Sequence, residues 1–183
     1  ICSCGPNVVQ TGLRLLPYTQ TETTNEACQA HSHENSCDIF PEYQYLILDV
    51  VYAELTRNPQ TKTFIDNISK FMTSKIQIIE FKPNGSMMKE YALLLKTLGK
   101  GESACMIYCY KNHDVLGSSN LKDIKEYCES HDITYLTTLD FLYYAYIRKK
   151  MTKQECDSFI QQVIAKGSVL PIVDISKYSC SVI

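Results

Sequence analysis

Glu54 and Glu102 each stand near the start of a stretch whose apolar residues recur at helical spacing. Carboxylate oxygens are the ligands that Mg2+ and Mn2+ favour, so two such acids brought to one place would begin a cation site. An acid in the first turn of a helix also complements the positive end of the helix dipole. That plainer role fits Asp49, which reads as the N-cap of the helix carrying Glu54, and Asp140, which falls in the first turn of a later helix. A second constellation, Cys28-x-x-His31-x-His33-x-x-x-Cys37, has ligand types that suit Zn2+, but its spacing matches no standard finger. It lies in a polar loop, where chance proximity is the expectation. Arg148-Lys149-Lys150 closes a helix and complements its dipole; the same run, with Lys100 and Lys122, could also grip a phosphate backbone. Of the 13 tyrosines, Tyr143 and Tyr146 share one helical face near Phe141 and Leu142, which predicts core packing rather than base stacking.

The elements that must position these residues follow from periodicity and punctuation. Residues 1–4 read as the end of a first strand and 7–16 as the turn and helix after it. From about 17 to 42 the chain shifts to Thr, Glu, Asn, Gln, Ser and His without apolar periodicity, the pattern of a long surface loop. Residues 43–48 are strand-like; a helix then runs from Asp49 to about Thr56, stopped by Asn58-Pro59. A second helix over 61–72 carries Phe64, Ile65, Ile68 and Phe71 on one face. Residues 75–81 alternate as a strand, Pro83-Asn84-Gly85 is a turn, and helices over 87–98 and 102–110 are joined by Gly99-Lys100-Gly101. Strand 114–116, helix 121–130, strand 133–136 and helix 139–147 follow. Thr152-Lys153-Gln154-Glu155 is a capping box for a helix ending near residue 165, and 169–173 reads as a last strand. Strands alternating with helices predict an α/β fold, a three-layer α/β/α sandwich with a mostly parallel central sheet. Sites on such sheets lie beyond the carboxyl ends of the strands.

The bulk numbers bound the rest. With 183 residues and 45% hydrophobic content the chain suits one domain, 1–183, interrupted by the polar loop. No apolar run is long enough to span a membrane. A net charge of −2 gives no global basic field for nucleic acid, so any RNA contact must be local. Nine cysteines, an odd number with several in helix or strand, point to reduced thiols and a cytoplasmic setting. Ile1-Cys2-Ser3-Cys4 shows no leader pattern, and Cys180-Ser181-Val182-Ile183 is a poor prenylation box.

Asp49-Val50-Val51-Tyr52-Ala53-Glu54-Leu55, then Gly101-Glu102-Ser103-Ala104, then Thr137-Thr138-Leu139-Asp140-Phe141-Leu142 together resemble the PIN-domain family of metal-dependent ribonucleases. The resemblance covers most of the chain, most clearly 46–173. It implies a cluster of about four acids at the carboxyl edge of the sheet, holding Mg2+ or Mn2+ against a scissile phosphate. Matched by position, the second acid falls on Glu54 and the third on Glu102, which are thereby the expected catalytic and metal-binding residues. The first acid's place, in a pattern close to Asp-Thr-Asn-Val, is held by Gly5 in Gly5-Pro6-Asn7-Val8. The later acid's region is Leu116-Gly117-Ser118-Ser119-Asn120, where Ser119 and Asn120 offer only neutral oxygens. Gly5, Asn7, Ser119, Asn120 and Asp140 are accordingly expected at the site's edge. The resemblance thus implies a divergent relative of Mg2+- or Mn2+-dependent endoribonucleases acting on RNA, weakened or inactive for want of two acids. The alternative is a non-catalytic module on the same fold that binds RNA or a protein partner, with no membrane attachment and room for homo-oligomers. Crowding of Glu54 and Glu102 without an ion predicts that one of them has a raised pKa.

Overall fold

The computed structural model describes residues 8–10, 39–71, 76–165, 167 and 169–180. They form two compact units, one built on 42–136 with the strand at 8–10, the other on 137–180 with residues 39–41.

The first unit holds the sheet. Its strands are β1 (Val8–Gln10), β2 (Tyr45–Leu48), β3 (Ile76–Ile79), β4 (Val115–Gly117) and β5 (Tyr135–Leu136). They lie in the order β3-β2-β1-β4-β5 with every pairing parallel. A parallel sheet is covered on both faces, so its central strands are apolar throughout rather than alternating. Val8 and Val9 are wholly buried, and β2 and β4 are buried at every position. At the edge, β3 buries Ile76 but leaves Gln77 and Ile78 exposed.

Five helices connect these strands: α1 (Asp49–Leu55), α2 (Pro59–Phe71), α3 (Gly85–Leu94), α4 (Lys100–Asn112) and α5 (Leu121–Ser130). The step from β2 to β3 goes outward on one side of β1; the steps from β3 to β4 and from β4 to β5 go the other way. Crossovers between parallel strands are right-handed, so opposite steps place their helices on opposite faces, giving the α/β/α sandwich. The central helix is α4. It packs against β1, β2 and β4 and against α1, α3 and α5. Gly101, Ser103, Ala104, Cys105, Met106, Ile107 and Cys109 are all buried, and a helix apolar on all sides belongs inside a core. The buried Ser103 hydroxyl is satisfied by donating to the Gly99 carbonyl at 2.8 Å.

Several local expectations change. Residues 8–10, expected in a turn and helix, form the central strand β1; the strand expected at 1–4 and the loop segment 17–38 lie outside the described residues. Asp49 is the first helical residue rather than the N-cap, which is Leu48. Its Oδ1 accepts from the backbone N–H groups of Val50 at 2.8 Å and Phe81 at 3.0 Å, tying the end of β2 to the segment after β3. Asn58-Pro59 opens α2 as well as ending α1: Asn58 Oδ1 accepts from Gln60 N at 2.9 Å and Thr61 N at 3.3 Å, with Pro59 at the first helical position.

The second unit contains α6 (Thr138–Ile147) and α7 (Lys153–Ala165). The capping box expected at α7 is present, with Glu155 Oε2 accepting from Thr152 N at 2.7 Å and Thr152 Oγ1 accepting from Glu155 N at 3.3 Å. Its core is Leu139, Leu142, Cys156, Phe159, Ile160 and Ile175, with Tyr143, Tyr146 and Tyr178 packed against it, so the two helical tyrosines serve packing. No strand forms at 169–173. Pro171 cannot donate to a ladder, Val169 and Ile172 are exposed, and the segment is anchored instead by the fully buried Ile175 beyond it. No described helix is long and apolar enough to cross a membrane.

Candidate functional site

Glu54 lies at the end of α1, which leaves the carboxyl end of β2 directly. Its Oε1 accepts from the Gly101 backbone N–H at 3.2 Å, so a carboxylate from α1 supplies the capping contact that α4 lacks from its own N-cap, Gly99. The approach requires glycine: a Cβ on Gly101 would stand 2.8 Å from Glu54 Oε2 and 3.2 Å from Val51 Cγ2.

Glu102 is the next residue, in the first turn of α4. Its Oε1 accepts from Asn120 Nδ2 at 2.8 Å, and the same Nδ2 donates to Asp123 Oδ2 at 2.7 Å. Asn120 follows β4 and is the N-cap of α5; its backbone N–H donates to Ser118 Oγ at 3.2 Å, and its carbonyl accepts from Asp123 N at 3.0 Å and Ile124 N at 3.2 Å. The carboxyl ends of β2 and β4 therefore deliver Glu54, Glu102, Asn120 and Asp123 to one end of the first unit, α4 carrying the element between them.

The electrostatics are those of acids without a counter-ion. Burial pushes the Glu102 carboxyl above its ordinary range, the negative charges of Asp123 and Glu54 push the same way, and the Asn120 hydrogen bond opposes them. Neither Lys100 nor Lys122 forms an ion pair with Glu54, Glu102 or Asp123, nor does any other described lysine or arginine. Cys105, one turn on from Glu102, is wholly buried, and burial with the fields of Glu54 and Glu102 holds its thiol protonated.

Asp123 was not foreseen, though an acid three residues after Asn120 is a visible first-turn signal. Gln10 was missed because the first strand was placed too early: it is the last residue of β1, in register with Gly117, and so ends the central strand at the site's edge of the sheet. Ser119 is exposed beside Asn120. Gly5, Asn7 and the Cys28, His31, His33 and Cys37 cluster lie outside the described residues.

Asp140 belongs to the second unit and is spent there. Its Oδ2 accepts from Thr137 N and Thr137 Oγ1, both at 2.7 Å, closing a capping box at the start of α6, and its Oδ1 accepts from Tyr178 Oη at 2.8 Å. The residue is 4% exposed, so its first-turn position is a structural cap with both oxygens engaged. Arg148 is also engaged: its guanidinium donates to the Ile39 carbonyl and lies over the rings of Phe40 and Tyr144.

The donor set of Glu54, Glu102 and Asp123 is all hard oxygen, with uncompensated negative charge, and in type it fits Mg2+ or Mn2+ rather than a thiolate- or imidazole-seeking ion. Among the described residues, no three Asp, Glu, His or Cys side chains are gathered closely enough to hold an ion as they stand. Comparison with known protein families, with curated proteins and with solved structures finds no match to this chain.

Proposed function

We propose that this chain is a divergent PIN-like domain related to Mg2+- or Mn2+-dependent endoribonucleases, with a weakened cation site and feeble cleavage of single-stranded RNA. The observation that carries the reading is the convergence of Glu54 and Glu102 at the start of α4, beyond the ends of parallel strands, with no lysine or arginine to neutralise them. Glu54 and Glu102 would hold the ion, with Asp123 as a third acid. A bound ion would supply positive charge for an anionic phosphate and lower the pKa of an attached water. Gly101 N–H fixes the Glu54 carboxylate, and Lys100 and Lys122, both exposed, are available to an RNA backbone. The weakness follows from Gln10 and Asn120, uncharged at the ends of β1 and β4, since each missing carboxylate removes a ligand and a charge. All five described cysteines are free thiols, which suits the reducing cytoplasm.

A non-catalytic RNA- or protein-binding module on this scaffold is the second reading. It is favoured by the Asn120 amide, which already satisfies two of the acids internally.

Cleavage of a fluorescent single-stranded RNA with Mn2+ separates the two. The wild type should cleave weakly, Glu54→Gln with Glu102→Gln should abolish that cleavage, and Gln10→Asp with Asn120→Asp should raise both Mn2+ affinity and rate. The paired gain should exceed the sum of the single ones because the ligands share an ion. Robust cleavage that survives both Gln substitutions would overturn the assignment of the site, and a restored variant that binds no metal would favour the binding module.

A further inference from the structure

Asparagine is among the best N-cap residues because its side-chain oxygen accepts from the free amides of the helix it opens. Asn120 occupies that position on α5 yet makes no side-chain cap. Its side chain turns away from its own helix amides, and its Nδ2 group, which has two hydrogens, donates to the carboxylates of Glu102 at 2.8 Å and Asp123 at 2.7 Å. Two like charges brought together repel, and a positive dipole end between them relieves the repulsion. The same amide keeps the two acids apart, in line with the lack of any pre-gathered set of three ligands among the described residues.

We propose that Asn120 is a built-in stand-in for the divalent cation, a latch that fills the acidic edge with an amide when no ion is bound and must turn for the ion to enter. The proposal rests on the cation reading of that edge and concerns its regulation. A half-turn about the Cβ–Cγ bond exchanges Nδ2 for Oδ1, so the group that donates to the acids becomes a hard-oxygen ligand facing the same space. Entry of the cation and reversal of the amide are then one event. A monovalent ion, with half the charge, is the weaker competitor for the bonds the amide gives up.

The test is an NMR titration of the 15N-labelled full chain with Mg2+, following side-chain amides together with backbone amides. The Asn120 NH2 pair is assigned as the one lost in Asn120→Ser. The expected result is a saturable shift of that pair in step with the backbone amides of Gly101, Glu102 and Asp123, absent when K+ replaces Mg2+ at equal ionic strength. Shifts at Gly101 and Glu102 with a motionless Asn120 side chain would overturn the latch while leaving the cation site standing. An equal shift in K+ would also overturn it, because screening alone would then move the amide. No shift at any of these groups would remove the cation site and the latch together.

Discussion

The Glu102 carboxyl sits above its ordinary range because it is partly buried beside Asp123 and Glu54, so ionising it costs more in the folded chain than in the unfolded one. The sign follows from linkage: with the folded value above the unfolded one, the cost is absent below the ordinary carboxyl range, grows as pH rises through the raised value, and is fully present at neutral pH. Glu102→Gln keeps an oxygen for Asn120 and removes the charge. It should stabilise the protein at pH 7 by about 0.5 kcal/mol, the scale of one like-charge contact, with the gain vanishing in acid; urea denaturation at both pH values checks this. A loss of stability at pH 7 would mean that Glu102 has a positive partner. Tyr178→Phe addresses the other acid. It strips Asp140 Oδ1 of its donor while the aspartate stays buried, at a cost of about 1–3 kcal/mol read from the urea midpoint. Glu54, Glu102 and Asn120 were legible in the sequence because each sits in a short local pattern. The Tyr178 bond was not, because its partner is 38 residues away and only the folded second unit brings them together.

Among the elements, α1 and α4 make the contact on which the site depends, and its tolerance is set by one missing methyl group. Gly101→Ala gains about 1 kcal/mol of intrinsic helix preference, but the new Cβ meets Glu54 Oε2 at 2.8 Å and Val51 Cγ2 at 3.2 Å. The carboxylate is the flexible end of a side chain and can swing away, so the fold should survive with a melting temperature within a few degrees of the wild type. The Gly101 N–H bond to Glu54 should be lost, and Mn2+ affinity should fall; calorimetry of unfolding and of binding reads the two effects separately. Unchanged metal affinity would show that Glu54 is only a helix cap. Most helices and the strands around them were readable from periodicity, since burial imposes it. The exceptions have physical reasons. A three-residue strand such as β1 is too short to show a period, and 169–173 carries apolar residues that alternate like a strand but include Pro171 and end in an anchor, Ile175, outside the window.

For the molecule as a whole, the sequence carries the layer type but not the strand order, because order depends on pairings between distant segments. The core of the second unit illustrates this: Ile175, from an irregular segment, is wholly buried with Leu139, Leu142, Phe159 and Ile160. Ile175→Ala should cost about 2–5 kcal/mol through the cavity it leaves, visible as faster hydrogen exchange in α6 and α7; an effect under about 1 kcal/mol would mean that the segment merely rests on the helices. The strand order has a consequence in time. β1 is the middle of the sheet, yet its two neighbours are β2 and β4, and Val8 is in register with Val115, more than a hundred residues downstream. Closing so long a loop is entropically slow and earns nothing until the contact is made. During synthesis β1 therefore leaves the ribosome early and waits, able to pair on one side with β2 while its other edge stays open until β4 arrives. The vulnerable moment of this chain is that interval, and helpers that shield an unpaired strand edge should matter most before residue 115 has emerged.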